Sequence, residues 1–218
     1  EEGAFFAAEL PSAIANATGT GSPGLAIAAA INHVDLFDNA WLGGANLTVQ
    51  ATTVNVTATM DADNTFQAEA TSGAGSEDGL GVAGALAINA VDTSVRAFVD
   101  NGTVLDLNGG TLTLTAASTT KSVADAKPLE DGGTGESLGL GASVAMNLVD
   151  NVTEAMVEAG ATVSDGAAVS LAATGDHELL TTATMSASGG TAITPVVAMT
   201  FTTNTTRAIF DSGSTVTV

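Results

Sequence analysis

Acidic side chains are the main candidates for chemistry in this sequence. Two short segments bring carboxylates close together: Asp61-Ala62-Asp63-Asn64 and Ser76-Glu77-Asp78. Carboxylate and amide oxygens in loops are the ligands that Ca²⁺ prefers. We therefore predict a calcium site at Asp61, Asp63, Glu77 and Asp78, with plain solvated acidic turns as the alternative. The sequence contains neither an EF-hand loop nor a Gly-Gly-x-Gly-x-Asp run, which would be more specific calcium signals.

Paired carboxylates also suit the cleavage of polysaccharides, since one carboxyl acts as an acid and the other as a base or nucleophile. The candidate pairs are Asp61 with Asp63 and Asp35 with Asp38. A lyase that acts on acidic sugars needs nearby cations, and the whole chain has only four Lys and Arg residues. The sequence therefore predicts a protein that is not an enzyme, with a polysaccharide-binding or -cleaving β-helix as an alternative.

The two histidines offer little support for catalysis. A nucleophilic triad needs a histidine placed between a nucleophile and an acid. His33 occupies a repeated position where Ala90 and Leu148 stand in the sister copies, so we interpret it as structural. The segment Asp176-His177-Glu178 is predicted to be a solvated turn rather than a metal site, because a zinc site needs a further ligand that the sequence does not identify.

Charge and composition restrict the partners. The 218 residues include 24 acidic and 4 basic ones, for a net charge of −20. Nucleic acids and anionic membrane surfaces bind cationic proteins, so both are disfavoured. The longest apolar stretches, such as residues 138–149, fall short of the ~20 residues that a spanning helix needs, so no membrane insertion is expected. The absence of cysteine, the acidity and the abundant Thr and Gly fit an extracellular, cell-surface protein.

These side chains belong to a unit that returns along the chain. Its clearest copy is Ala87-Ile88-Asn89-Ala90-Val91-Asp92, followed by Ala97-Phe98-Val99. The alanines that anchor the copies stand at positions 40, 97, 155 and 208, in steps of 57, 58 and 53 residues. Long regular spacing indicates a repeat architecture. We predict one elongated repeat domain over residues 1–218, with units at roughly 1–20, 21–75, 76–135, 136–190 and 191–218, the first and last being partial.

The local pattern within each unit favours strands. Apolar and polar residues alternate from Leu47 to Ala51 and from Val54 to Ala58, and such alternation is typical of a strand with one buried face. Frequent Gly and β-branched residues disfavour helices. Turns are predicted at residues 35–39, 101–102, 158–160 and 164–166, and loops at residues 72–79 and 130–136.

The unit length selects the fold. A sandwich domain usually needs ~100 residues to enclose a core, so a 57-residue unit is short for one. A solenoid coil needs only ~20 residues. We therefore predict an all-β, right-handed β-solenoid, or β-helix, built from ~57-residue repeats with about three coils in each. In such a fold Asn32, Asn89 and Asn147 either stack as an inward ladder or cap the turns before the aspartates that follow them.

The motif Gly-φ-Gly-x-x-x-Ala-φ-Asn-x-Val-Asp, where φ is an apolar residue, then Ala-φ-Val and Leu-Thr-Leu-Thr-Ala, resembles the repeats of large secreted bacterial adhesins. These are the filamentous-haemagglutinin-like and autotransporter-passenger-like proteins. The resemblance implies a β-helical stalk that displays binding sites at the cell surface, and it brings no catalytic pattern. The function expected is thus a non-catalytic segment of an extracellular fibre or adhesin stalk, with an unknown host or matrix receptor.

Self-association is a further expectation. Residues 211–218 match residues 100–107, so the sequence stops within a unit. Either it is a piece of a longer series, or its ends pair with neighbouring molecules. Exposed sheet edges invite pairing with another chain. The alternative function is therefore a self-assembling extracellular filament whose subunits join through their terminal strands.

Overall fold

The chain folds into parallel β-strands. The computed structural model describes residues 12–44, 46–76 and 79–218, without the side chains at 61–63 and 130–131. In chain order, the strands of the described residues are β1 (Ser12–Thr20), β2 (Gly24–Leu42), β3 (Thr48–Gln50), β4 (Thr53–Ser76), β5 (Leu80–Val99), β6 (Val104–Asp106), β7 (Thr111–Gly135), β8 (Leu138–Val157), β9 (Thr162–Ser164), β10 (Ala168–Ala183), β11 (Ala187–Ser188), β12 (Thr191–Ile193), β13 (Val196–Phe210) and β14 (Thr215–Val216).

Three parallel sheets contain these strands. Sheet A has the order β1-β4-β7-β10, with β11 also on β7; sheet B has β12-β8-β5-β2, with β13 also on β8; sheet C has β14-β9-β6-β3. The chain passes through sheets B, C and A in turn and then returns to sheet B beside its previous strand. We call one such passage a rung. This all-β repeat structure confirms the predicted β-solenoid class.

The predicted coil count is wrong. Asn32 pairs with Asn89, and Asn89 pairs with Asn147, so neighbouring strands are one whole repeat apart. A unit therefore forms one rung and not three coils of about 19 residues. The reason is strand length: β2 has 19 residues and β4 has 24, so two long strands and one short strand use up the repeat. The handedness of the solenoid stays a prediction.

Several predicted interruptions are absent because the strands run through them. Residues 35–39 lie inside β2, where they pair in register with β5, and residues 130–135 lie within β7. Extra residues are absorbed as bulges: the pairing of β4 with β7 shifts between Met60 and Asn64 and again between Ser72 and Ala74. The turns predicted at residues 101–102 and 158–160 are confirmed, with φ of 75° at Gly102 and 81° at Gly160.

The space between sheets A and B widens from one end to the other. At the narrow end, a Cβ added to Gly81 would overlap the carbonyl oxygen of Thr134 in the opposite sheet, so backbone meets backbone. Next comes a layer of buried alanines, including Ala87 and Ala126. At the wide end, beside sheet C, the core contains larger side chains such as Leu105 and Leu114. The side-chain volume of each row thus sets the local distance between the sheets.

The repeated asparagines form the inward ladder, not turn caps. Asn32 Nδ2 donates to Asn89 Oδ1 at 2.8 Å, and Asn89 Nδ2 donates to Asn147 Oδ1 at 3.0 Å. Asn89 Nδ2 also donates across the core to the carbonyl oxygen of Phe66 in sheet A, at 3.1 Å. The ladder therefore ties rung to rung and sheet B to sheet A, and buried amides need such partners.

Helices play no part in the described fold. The backbone forms strands, turns, bends and short irregular connections across residues 12–44, 46–76 and 79–218, as the sequence predicted. Within the same residues, no helix has the length and apolar character that crossing a membrane requires.

Candidate functional site

The outer surfaces of the two long sheets differ in chemistry. On sheet A, the outward positions of β4 include Asn55, Thr57 and Thr59, which alternate with the buried Ala58 and Met60. On sheet B, both sides of the strands are apolar over their first halves. In β2, for example, the outward Leu25, Ile27 and Ile31 are all at least 60% exposed. The outer surface of β4 is thus polar, whereas the first half of β2 presents apolar side chains to water.

We call the outward positions of the first half of sheet B the apolar face. In-register pairing arranges its residues in five rows across the strands. The rows are Leu25-Val82-Leu140-Ile193, Ile27-Gly84-Ala142, Ala29-Leu86-Val144-Val197, Ile31-Ile88-Met146-Met199 and His33-Ala90-Leu148-Phe201. Single exposed apolar residues are ordinary on a protein surface, whereas a contiguous patch of this kind marks an interaction surface.

A row of carboxylates borders the apolar face. Asp35, Asp92 and Asp150 pair in register on β2, β5 and β8, and Thr203 of β13 continues the row. They lie in an open groove of about 750 Å³, together with His33 and Phe201. Neighbouring strands are ~4.8 Å apart, so Asp35 and Asp150 are ~10 Å apart along the row. We call Asp35, Asp92 and Asp150 the acidic row.

The middle carboxylate of the acidic row is perturbed. Partial burial raises the pKa of Asp92 above its usual value, and the neighbouring charges of Asp150 and Asp35 raise it further, while His33 lowers it. His33 itself lies outside the core: 70% of its side chain is exposed, and its Nε2 lies 3.9 Å from Asp35 Oδ1. Negative charge therefore accumulates along the acidic row. Among the described contacts, no basic side chain lies within hydrogen-bonding distance of these three carboxylates.

An ordered charged ladder follows further along the same outer surface. Arg96 Nε contacts Glu154 Oε2 at 3.0 Å, and Arg207 Nε donates to the other carboxylate oxygen of Glu154. Glu154 is only 5% exposed despite its outward position, because the two arginines cover it. Beside this ladder, Trp41 stacks on Phe98 with ring centroids 6.2 Å apart, and the Arg96 guanidinium lies over the Phe98 ring. These contacts stabilise adjacent rungs against one another.

The carboxylates predicted to bind calcium lie largely outside the described residues. Glu77 and Asp78 are outside them, and for Asp61 and Asp63 only the backbone is described, within the bulged part of β4. Elsewhere in the described chain, no group of three or more His, Asp or Glu side chains is arranged to hold a metal ion. Calcium binding at the four predicted residues stays a prediction; a Tm that does not change on addition of a chelator would remove it.

The second predicted carboxylate pair is not brought together. Asp35 lies on the outer surface of β2, whereas Asp38 occupies an inward position that pairs with the fully buried Val95. Side chains three residues apart on a strand point to opposite faces. The two carboxylates therefore do not form an acid–base pair.

His177 lies in a strand and not in the predicted turn. Residues 176–178 are in the middle of β10, where His177 pairs with Thr120 of β7. Its Nδ1 is 2.8 Å from Thr120 Oγ1, and burial lowers the pKa of the imidazole. Glu178 faces outward and pairs with Lys121 at 2.9 Å. The contacts of His177 are those of a residue that packs the edge of the core.

Comparison with known proteins adds no family. No family model matches the chain, and neither a curated protein nor a solved structure is detectably similar to it.

The apolar face and the acidic row were not predicted as sites. The sequence signal for the acidic row is that Asp35, Asp92 and Asp150 occupy the same position in successive copies of the repeat, at steps of 57 and 58 residues. The signal for the apolar face is the largely apolar run of residues 138–149, in which the polar residues are Ser143 and Asn147 and both occupy inward positions. A strand that is apolar at consecutive positions buries one side in the core and must cover or expose the other.

Proposed function

We propose that this chain is a non-catalytic structural segment of an extracellular surface fibre or adhesin stalk. The observation that supports this most is the unbroken register: from Leu80 to Val99, every residue of β5 pairs with its equivalent in β8. Such pairing makes the hydrogen bonds run along the stacking direction, so that each rung is held by its neighbours. A quasi-one-dimensional stack of this kind is suited to extending a surface away from a cell.

Side-chain ladders give this stack cohesion beyond its backbone. The Asn32-Asn89-Asn147 ladder crosses three rungs inside, and the ladder from Arg96 through Glu154 to Arg207 crosses three rungs outside. A second internal ladder begins at Thr93, whose hydroxyl donates to an amide oxygen one rung away at 2.6 Å. Because each ladder needs correct register to form, the ladders favour one alignment of the repeats over slipped ones.

The absence of catalysis is part of the same proposal. It is supported by the separation of Asp35 from Asp38 and by the packing role of His177. Incubation of the purified chain with a panel of acidic and neutral polysaccharides should give no depolymerisation. Cleavage that is lost in Asp61→Ala or Asp63→Ala would overturn this part and favour the polysaccharide-active alternative.

Immunogold electron microscopy of intact cells that make the protein tests the localisation. Antibodies against the chain should label the outside of unpermeabilised cells, at a distance from the membrane. Labelling that appears only after permeabilisation would contradict an extracellular stalk. An antibody against a cytoplasmic protein is the control for intact cells.

A filament assembled through terminal strands is a second candidate. In sheet B of the described chain, β2 and β13 are the outermost strands, and both expose large apolar side chains, among them Ile27 and Phe201. Unpaired strand edges of this kind template further pairing. Sedimentation and electron microscopy over a range of concentrations separate the candidates: polymers that grow with concentration favour the filament, and particles of fixed length favour the stalk.

A further inference from the structure

We propose that the apolar face is the lateral interface between two copies of this chain, packed face to face about a two-fold axis parallel to the stacking direction of the rungs. The proposal goes beyond the stalk function and does not depend on it. It concerns the side of the solenoid and not its strand edges.

The chemistry of the face supports a buried state. Its members are almost entirely aliphatic or aromatic, and His33, at its border, is the one titratable side chain among them. Leu25, Ile27, Ile31 and Phe201 each expose more than half of their surface. The outward positions of sheet A, in contrast, include Lys121, Asp125 and several threonines. The outer surface of sheet A therefore mixes polar groups with single exposed apolar residues such as Ile14 and Leu180, whereas the apolar face has almost no polar group.

The size of the face is sufficient for a specific contact. Five rows two residues apart extend ~30 Å along the strands, and four strands extend ~19 Å across them. The footprint is therefore ~550 Å² on each copy and ~1,100 Å² in total, which reaches the lower range of specific interfaces. A pair of copies would then cover a patch that lies near the upper end of the ~300–600 Å² found for the largest apolar patch on a typical monomer, a size that often marks a functional surface.

A second copy fits this face better than other partners. A flat row-patterned sheet is complemented by another flat sheet at a spacing of ~10 Å, and this protein supplies one. Anionic lipid and nucleic acid are disfavoured by the net charge of −20 and by the acidic row at the border of the face. Two-fold pairing also closes the assembly at two copies, because each apolar face is used up.

The acidic row decides the orientation. An axis parallel to the strands would lay each row on its own counterpart and bring Asp35, Asp92 and Asp150 of the two copies together. An axis parallel to the stacking direction, through the row of Ala29 and Leu86, reverses the strands instead. The acidic rows are then six residues from the axis on opposite sides, ~40 Å apart. The two solenoids also extend in the same direction, side by side.

Light scattering coupled to size exclusion tests the interface. The wild-type protein should have the molar mass of a dimer. The variant Leu86→Asp, which changes the middle of the apolar face, should have the molar mass of a monomer. Val123→Asp is the matched control, since Val123 is a half-buried apolar residue on the outer surface of β7, an inner strand of sheet A; this variant should remain a dimer. A monomeric wild type, or a Leu86→Asp variant that keeps the wild-type mass, would overturn the proposal.

A second variant keeps the test interpretable if Leu86→Asp does not fold. If Leu86→Asp loses its strand circular-dichroism signal, Ile31→Asp replaces it, because Ile31 is 62% exposed at the edge of the sheet. It should fold and be monomeric, and a folded dimer would count against the interface. Flotation with zwitterionic lipid vesicles completes the test: a monomer that floats with vesicles would assign the face to lipid instead.

Crosslinking tests the orientation. The chain has no cysteine, so single cysteines can be introduced cleanly. With a short thiol-to-thiol crosslinker, Ala29→Cys on the axis should give a covalent dimer, and Asp35→Cys should remain a monomer on denaturing gels. The reverse result would contradict the orientation.

Discussion

Replacement of the central asparagine of the inward ladder should be among the most destabilising single changes in the protein. Asn89 has no exposed surface and makes three hydrogen bonds. Asn89→Ala leaves the Asn32 amide donor, the Asn147 amide oxygen and the Phe66 carbonyl without these bonds. A buried polar group left unsatisfied costs about 1–3 kcal/mol. We take the lower part of that range for each group, because Asn32 lies on the edge strand of sheet B and Asn147 keeps two hydrogen bonds through its amide nitrogen.

The expected loss is about 3–5 kcal/mol in the free energy of unfolding, which is a large share of the 5–15 kcal/mol typical of a domain. Urea unfolding followed by circular dichroism measures it. Asn55→Ala is the matched control, because Asn55 is an exposed asparagine on the outer surface of sheet A; it should change the stability by less than about 0.5 kcal/mol.

The comparison of Asn89→Ala with Asn55→Ala also defines the result that would refute the role of the ladder. If Asn89→Ala and Asn55→Ala give similar small changes, the ladder does not hold the sheets together, and the hydrogen bonds described for it contribute little. A further comparison is Asn32→Ala, which removes the first member of the ladder. It should cost less than Asn89→Ala, since Asn32 lies on the edge strand of sheet B, whereas Asn89 bonds to the asparagines of both neighbouring rungs.

Three other changes have expected outcomes of different sign. Gly81→Ala should lower the Tm or prevent folding, because the added methyl would overlap a backbone carbonyl, whereas Gly84→Ala has 3.7 Å of clearance and should be tolerated. Glu154→Gln should cost about 1–2 kcal/mol by weakening two charged hydrogen bonds, and Glu178→Gln, in an exposed pair, less than about 0.5; equal losses in chemical unfolding would contradict the buried ladder. Asp92→Asn should raise stability at neutral pH by about 0.2–1 kcal/mol, since like charges oppose each other across strands. The raised pKa of Asp92 means that the folded protein binds its proton more tightly, so wild-type stability should rise as pH falls from the folded pKa towards 3.8, and this contribution to the slope should vanish in the variant.

The sequence predicted what depends on residue spacing. The fixed distance between Asn89 and Asn147 required equivalent positions to recur, and alternating segments required strands, so the all-β repeat class followed. The bonding partner of the asparagines could not be chosen from spacing alone. Both a ladder and a turn cap satisfy an amide, and the choice depends on how many residues separate neighbouring strands.

The coil count was wrong because the cross-section could not be read from composition. Small residues such as Gly81 and Ala87 are also compatible with short coils around a narrow interior. In the structure they allow two very long strands to lie close together, which makes the rung wide and thin. Predicted turns at Asp35 and at Asp176 failed for a related reason: a polar residue within a strand only needs an outward position. In-register pairing of the residues before and after it with one neighbouring strand keeps the backbone extended.

Disulfide trapping tests the central claim, that each repeat is one rung, most directly. Thr57 pairs with Thr115 in neighbouring rungs, so the two Cα atoms should be ~4.8 Å apart, within the range that a disulfide spans. Under mild oxidation at low protein concentration, Thr57→Cys combined with Thr115→Cys should form an intramolecular disulfide. The diagonal pair, Thr57→Cys with Thr113→Cys, should remain reduced at ~8 Å. No bond in the first pair, or equal bonding in both, would contradict the one-rung repeat.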